Sequence, residues 1–192
     1  AALNYPIVFG LSNLESIPFV VTGHTAGDNL FIGDNGKWRA NCYIPAYVRR
    51  YPFILVENNQ KDSLTLACDH TSTLFSTEEG AALFEDDQPS EAANRIMQLC
   101  LSYHQQFNET KKLCAKIEAM GLLVDRQADV TLPNGKKTKI TGFRVINEEK
   151  FNALDDQAFL DLRRTGALAM IYCHFLSMRN WQKLRKDTSS QH

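Results

Sequence analysis

Asn35-Gly36 and Asn134-Gly135 constrain this chain more than any other feature. Asn-Gly adopts positive φ at low cost, as the tightest hairpin turns require. Leu30-Phe31-Ile32 leads through Gly33-Asp34 into the first turn, and Lys37 to Tyr43 follows it. Alternation puts Trp38, Ala40 and Cys42 on one face and Arg39 and Asn41 on the other. Asp129-Val130-Thr131-Leu132 and Lys136 to Ile146 flank the second turn, Pro133-Asn134-Gly135. Tyr5 to Phe9 and Ile17 to Val21 read as further strands. Phe53 to Glu57 and Leu64 to Cys68 read as a hairpin across Asn58-Asn59-Gln60-Lys61-Asp62. The chain is therefore β-rich to about residue 75.

Helical periodicity then takes over. Ser90 is a good N-cap and Glu91 suits a first turn. Apolar and semi-polar side chains recur at Ala93, Ile96, Met97, Cys100, Tyr103, His104, Phe107, Cys114 and Ile117, and Gly121 ends the run. Asn147 caps Glu148 to Leu154, and Asp155 caps Asp156 to Arg164. Thr165-Gly166 is a joint before a long helix, Ala167 to Lys186, with Leu168, Ile171, Tyr172, Phe175 and Met178 inward. Lys183, Arg185 and Lys186 meet the negative end of its dipole. The fold class is α+β, with a twisted antiparallel sheet from the N-terminal part and a helical C-terminal part packed on it. The second Asn-Gly hairpin either extends that sheet or caps the helices. One domain over residues 1–192 is expected: β-rich 1–75, an acidic loop at 76–89 as internal boundary, and helix–hairpin–helix over 90–186.

With 44% hydrophobic and 22% charged residues, a core can form without disulfides or a structural metal. The formal charge of −1 supplies no single-sign field, which argues against nucleic-acid binding. Cys42, Cys68, Cys100, Cys114 and Cys173 are odd in number and irregularly spaced, so reduced thiols and a reducing compartment are expected. The apolar run Ala167 to Ile171 is far short of a membrane span, and no signal pattern opens the chain. These features point to the cytoplasm.

Several constellations could carry chemistry. Cys100 and His104 share a helical face at ligand spacing, but both lie on the apolar stripe and no second pair is near, so no metal is expected. Cys68-Asp69-His70 holds a nucleophile, a carboxylate and a base. Successive strand residues face opposite ways, however, and no nucleophile-elbow motif accompanies them. His24, in Thr22-Gly23-His24-Thr25-Ala26-Gly27-Asp28, reads as an exposed loop histidine without a phosphate-loop lysine. Cys173 and His174 diverge around a helix. No nucleotide fingerprint appears, and no cofactor is expected.

The remaining candidate is residues 38–53, which combine five aromatics, two prolines and Arg49-Arg50. Pro45 can open a single helical turn, and Pro52 ends it. Tyrosine and tryptophan give large contact area at small entropic cost, and arginine gives planar bidentate hydrogen bonding. The competing reading makes Trp38, Tyr47 and Phe53 core residues and leaves Arg49 and Arg50 solvated or paired with the acidic loop.

The chain resembles the SapC family of bacterial proteins. The resemblance rests on Tyr5-Pro6-Ile7-Val8-Phe9, Asn29-Leu30-Phe31-Ile32, Gly36-Lys37-Trp38 and Tyr43 through Phe53. It continues at Thr131-Leu132-Pro133-Asn134-Gly135, Thr141-Gly142-Phe143, Thr165-Gly166-Ala167-Leu168 and Ile171-Tyr172-Cys173-His174. It implies association with bacterial surface layers, beside outer-membrane uptake receptors and tryptophan-halogenase-like proteins. It brings no catalytic residues. Family members typically carry a few dozen further N-terminal residues, and Cys68 stands where an aliphatic residue is expected. The functional expectation is a non-catalytic binding module at the cell surface or envelope. Trp38, Tyr43, Tyr47, Arg49, Arg50 and Tyr51 would face a peptide, glycan or protein partner. The alternative is an enzyme or enzyme accessory for a peptide or small metabolite, using Cys68, His24 or His70.

Overall fold

The side chains that recur from Ala93 to Ile117 do wind into one helix. Ser90 caps it, its Oγ accepting the Ala93 N–H at 3.2 Å, and Gly121 (φ 66°) follows its end. A computed structural model describes residues 1–12, 15–58, 63–132 and 135–186. Along it the elements are β1 (Ile7–Ser12), β2 (Glu15–Val20), α1 (Ala46–Arg49), β3 (Phe53–Asn58), β4 (Ser63–Cys68), β5 (Phe84–Glu85) and β6 (Gln88–Pro89). There follow α2 (Glu91–Ala119), β7 (Leu123–Thr131), β8 (Lys137–Ile146), α3 (Glu148–Asn152), α4 (Asp156–Thr165), α5 (Ala167–Met178) and α6 (Trp181–Lys186). Two compact units result: Ala1–Tyr43 with the chain from Thr110 onward, and Ile44–Glu109. The acidic 76–89 stretch lies inside the second.

The first unit holds an antiparallel sheet in the order β2-β1-β8-β7. β1 and β2 pair from Ile7↔Val20 to Ser12↔Glu15, and Phe9 bridges to Arg144 of β8. The second Asn-Gly hairpin therefore extends the sheet. Pro133 and Asn134 of its turn lie outside the described residues, as do residues 59–62 of the β3–β4 turn and the side chains of Arg185 and Lys186. Asn147 and Asp155 cap α3 and α4 as their side-chain chemistry predicts, accepting from Lys150 N–H at 2.8 Å and Ala158 N–H at 2.7 Å. Helix α5 packs on β1 and β8. The main core joins Phe9, Cys114, Ile117, Leu122, Ile146, Phe151, Leu162, Ala167 and Ile171. Each fully buried large aliphatic side chain there contributes about 1.5–3 kcal/mol. A polar clamp ties the end of α2 to the sheet: Glu118 accepts from Ser16 Oγ at 2.6 Å and from Arg144 at 2.7 Å, and Arg144 also donates to Ser16.

Three expectations change. Lys37 to Tyr43 is not a strand beyond one bridge, Ile32↔Trp38. Asn41 takes φ 61° and the Cys42 N–H turns back to the Arg39 carbonyl at 3.3 Å, which ends the pairing. The last helix is two helices. Between them Asn180, 2% exposed, donates to the carbonyls of Ala2 and Tyr5 at 2.7 and 3.1 Å. Its own N–H bonds Ser177 O three residues back, so the helical ladder stops there. Tyr172 is 49% exposed rather than inward, while Ala167, Ile171, His174 and Ser177 are buried. Tyr172 lies one helical step, about 100°, from Ile171, and its ring makes edge contacts with Phe151 and Phe175, with centres 5.7 and 6.5 Å apart.

The second unit contains α1, the β3–β4 ladder from Phe53↔Cys68 to Asn58↔Ser63, the β5–β6 turn at Asp86-Asp87, and α2 as far as Glu109. Cys100 is its only buried hydrophobic side chain besides proline among the described residues. Ile54, Val56, Leu74 and Phe84 are 44%, 49%, 67% and 67% exposed.

His174 is 2% exposed, where α5 meets β8. Its Nε2 accepts the Ile146 N–H at 3.1 Å, so a neutral ring carries its proton on Nδ1, which finds no hydrogen-bond partner among the described residues. Burial pushes its pKa down to about 4, against an opposing pull from the Ile7 backbone. The unfolded chain binds this proton near pH 6.5 and the folded chain only near pH 4. Stability is thus complete above about pH 6.5 and declines as pH falls towards 4, by up to about 3 kcal/mol. Urea melts at stepped pH should show this loss. It should be absent in His174→Gln, and an unchanged slope in that variant would show that other groups are responsible.

Candidate binding groove around Arg50

Pro45 lacks an N–H and has a fixed φ, so it heads the single turn α1 at no cost. The N–H groups of Val48 and Arg49 return to the Pro45 carbonyl at 2.9 and 3.1 Å. Three-residue spacing then sets Tyr47 and Arg50 on one side of the turn. The Tyr51-Pro52 bond is cis, and the Phe53 N–H reaches the Arg50 carbonyl at 2.8 Å as β3 begins.

The half-buried Arg50 guanidinium lies 4.7 Å from the ring centre of Tyr47 and 4.6 Å from that of Tyr103 on α2. Tyr103 is in turn stacked on Phe107, with ring centres 6.1 Å apart and planes 10° apart. Each cation–π contact is worth about 0.5–1 kcal/mol at a partly wet site. Among the described residues no carboxylate pairs with this guanidinium and no acceptor takes its N–H groups. Burial raises the pKa values of Tyr103 and Cys100, while the Arg50 charge pulls both the other way. The neighbouring anion is already satisfied. Asp69 accepts from the Thr71 hydroxyl at 2.7 Å, the Thr71 N–H at 3.0 Å and the Tyr51 hydroxyl at 3.0 Å. Those bonds, led by the Thr71 hydroxyl, hold its pKa below the usual carboxylate value. Tyr47, Arg50, Tyr51, Pro52, Phe53, Ile54, Cys68 and Asp69 line an open groove of about 320 Å³. Chemically it offers one cation with open donors, aromatic faces and an apolar floor. That set can bind an anion attached to an apolar body.

The structure brings Tyr47, Arg50 and Tyr51 together. Tyr47 and Tyr51 are 64% and 52% exposed. Arg49 is exposed, has a partner, and does not line the groove. Trp38 and Tyr43 belong to the first unit. Trp38 is half-buried against the Tyr5, Phe31 and Leu184 cluster, and its indole N–H donates to the Tyr5 hydroxyl at 3.0 Å. The Tyr43 carbonyl accepts from the same Tyr5 hydroxyl, while its side chain is 41% exposed. Tyr103 and Asp69 join the groove's chemistry although sequence reasoning assigned them no binding role. Tyr103 sat on the helical stripe as a core position, and nothing in its spacing pointed to Arg50.

His24 is 6% exposed, not an exposed loop residue. The Thr22–Asp28 loop folds inward because the His24 N–H bonds Asp28 at 3.1 Å and its Nε2 meets the Leu184 carbonyl at 2.8 Å. Cys68 and His70 are exposed. His104 contacts Asn108 at 3.0 Å and Glu57 at 3.5 Å. Cys173 is exposed and His174 buried, so the two do diverge. Among the described residues no group of three or more His, Cys, Asp and Glu could hold a metal ion.

The SapC family model matches residues 1–184 of the 192. The chain belongs to the SapC family. No curated protein and no solved structure matches it. All five thiols of this SapC chain are free. Burial pushes Cys114 up to about 11, so little reactive thiolate forms there at neutral pH. Titration of the native protein with an aromatic disulfide should modify Cys68 and Cys173 first. Cys100 and Cys114 should wait for unfolding, as peptide mapping of the labelled sites will report. Early labelling of Cys114 would contradict the buried placement.

Proposed function

We propose that this SapC protein is a non-catalytic binding module associated with the bacterial cell surface or envelope. In this reading the groove around Arg50 engages a peptide, glycan or protein partner through Tyr47, Arg50 and Tyr51. One observation carries it: a guanidinium fixed between two tyrosine rings keeps its hydrogen-bond donors uncommitted among the described residues, beside exposed apolar side chains. Holding a cation ready in this way reduces the ordering cost of binding. Arginine and tyrosine are also the residue types that dominate binding energy at interfaces. The near-neutral chain favours such partners over nucleic acid. The free thiols favour a reducing compartment, so the cytoplasm is the proposed location, with the surface layer as the family's implication. Among the described residues no helix is long and apolar enough to cross a membrane.

A thermal-shift screen against cell-wall fragments and peptides tests the reading, because a ligand that binds only the native state raises Tm. Arg50→Ala should weaken any ligand so found by about tenfold or more, while costing only about 1–2 kcal/mol of stability. Arg50→Lys should recover little, because an ammonium lacks the flat fork. Full affinity in Arg50→Ala would move the binding site elsewhere.

A further inference from the structure

The β3–β4 ribbon has no third strand among the described residues. Its hydrogen-bond phase is readable from one contact, the Asp69 N–H donating to the Pro52 carbonyl at 2.9 Å. In an antiparallel pair, inward and outward backbone groups alternate. With Phe53↔Cys68, Leu55↔Leu66 and Glu57↔Leu64 in uninterrupted register, Phe53, Leu55 and Glu57 point their N–H and C=O groups away from β4. The Phe53 N–H is taken by the Arg50 carbonyl at 2.8 Å, which places Arg50 at the head of that outer edge. The N–H groups of Leu55 and Glu57 find no partner among the described residues. Neither strand carries a lysine, nor β3 a proline, of the kind that guards an edge.

We propose that this edge is a strand-addition site for the C-terminal segment of a protein or peptide. The added strand runs antiparallel to β3, so its free carboxylate arrives at the Arg50 fork. This proposal rests on the reading of the Arg50 groove as a binding site and names its ligand. Direction follows from polarity: an antiparallel strand ends where β3 begins, beside Arg50. Charge follows from the guanidinium, which has no carboxylate partner among the described residues, since Asp69 is occupied by Thr71 and Tyr51. The last side chain of the ligand would lie on the apolar floor formed by Pro52, Phe53 and Ile54. The backbone supplies affinity, while the carboxylate and this floor supply selectivity.

The test uses hexapeptides arrayed by their N-termini and ending in Val, Leu, Ile, Phe or Tyr, one set with a free carboxylate and one amidated. The wild-type protein should bind the free acids at least about tenfold more tightly, as charge-assisted bidentate hydrogen bonds require. Arg50→Gln should abolish that difference. Bound peptide should protect the Leu55 and Glu57 amides from hydrogen exchange. Equal binding of acids and amides, still weakened by Arg50→Gln, overturns the carboxylate assignment and leaves the groove as a binding site. Binding without protection of Leu55 and Glu57 overturns strand addition. So does failure of every hexapeptide while a cell-wall fragment binds in an Arg50-dependent way. Absence of any Arg50-dependent ligand overturns this proposal together with the broader reading.

Discussion

The packing of α5 onto β1 and β8 is the constraint on which the first unit depends. It buries Ala167, Ile171, His174 and Ser177 on one helical face, and the unit's main core forms around it. That face is not purely apolar. The His174 ring accepts the Ile146 N–H, and Ser177 Oγ accepts the Ile7 N–H at 3.0 Å while donating to the His174 carbonyl at 2.6 Å. These bonds couple the helix to particular backbone groups of two strands, which apolar contact alone would not specify. The condition is a neutral imidazole, since a buried unpaired charge would cost more than the contacts return.

The second unit is organised on other terms. Its apolar side chains are mostly exposed or half-buried, and its strands form two separate two-stranded ribbons. Order there comes from discrete contacts: the Pro45 turn, the Arg50 contacts with Tyr47 and Tyr103, and the Asp69 turn with Thr71 and Tyr51. Such devices hold a surface in shape without enclosing it. Apolar surface left accessible in this way is characteristic of interaction sites. In this chain the contrast between the two units is what draws attention to residues 47–54.

Much of the secondary structure was legible. Ser90, Asn147 and Asp155 cap helices because a short polar side chain reaches back to a free N–H wherever such a helix starts. Gly166 ends α4 at φ 84° because only glycine adopts that conformation freely. The aromatic–arginine stretch was legible as unusual, and Tyr47, Arg50 and Tyr51 do share a groove. Its division was not. Trp38 and Tyr43 are close in sequence to Tyr47 but belong to another unit, and Tyr103 comes to Arg50 from a helix far along the chain. His24 and Asn180 likewise gave no local sign of burial, because their partners are carbonyls remote in sequence.

Sequence by itself determined the capped helix starts, the β3–β4 and β7–β8 strand pairs and the α+β class, since these follow from φ preferences, capping bonds and side-chain periods that act over a few residues. Tertiary structure alone decided that the second Asn-Gly hairpin joins the N-terminal strands, that the last helix breaks at Asn180, and that Arg50 rests between Tyr47 and Tyr103. Each of those outcomes depends on which distant group satisfies a donor, a carbonyl or a charge. No local spacing encodes that choice.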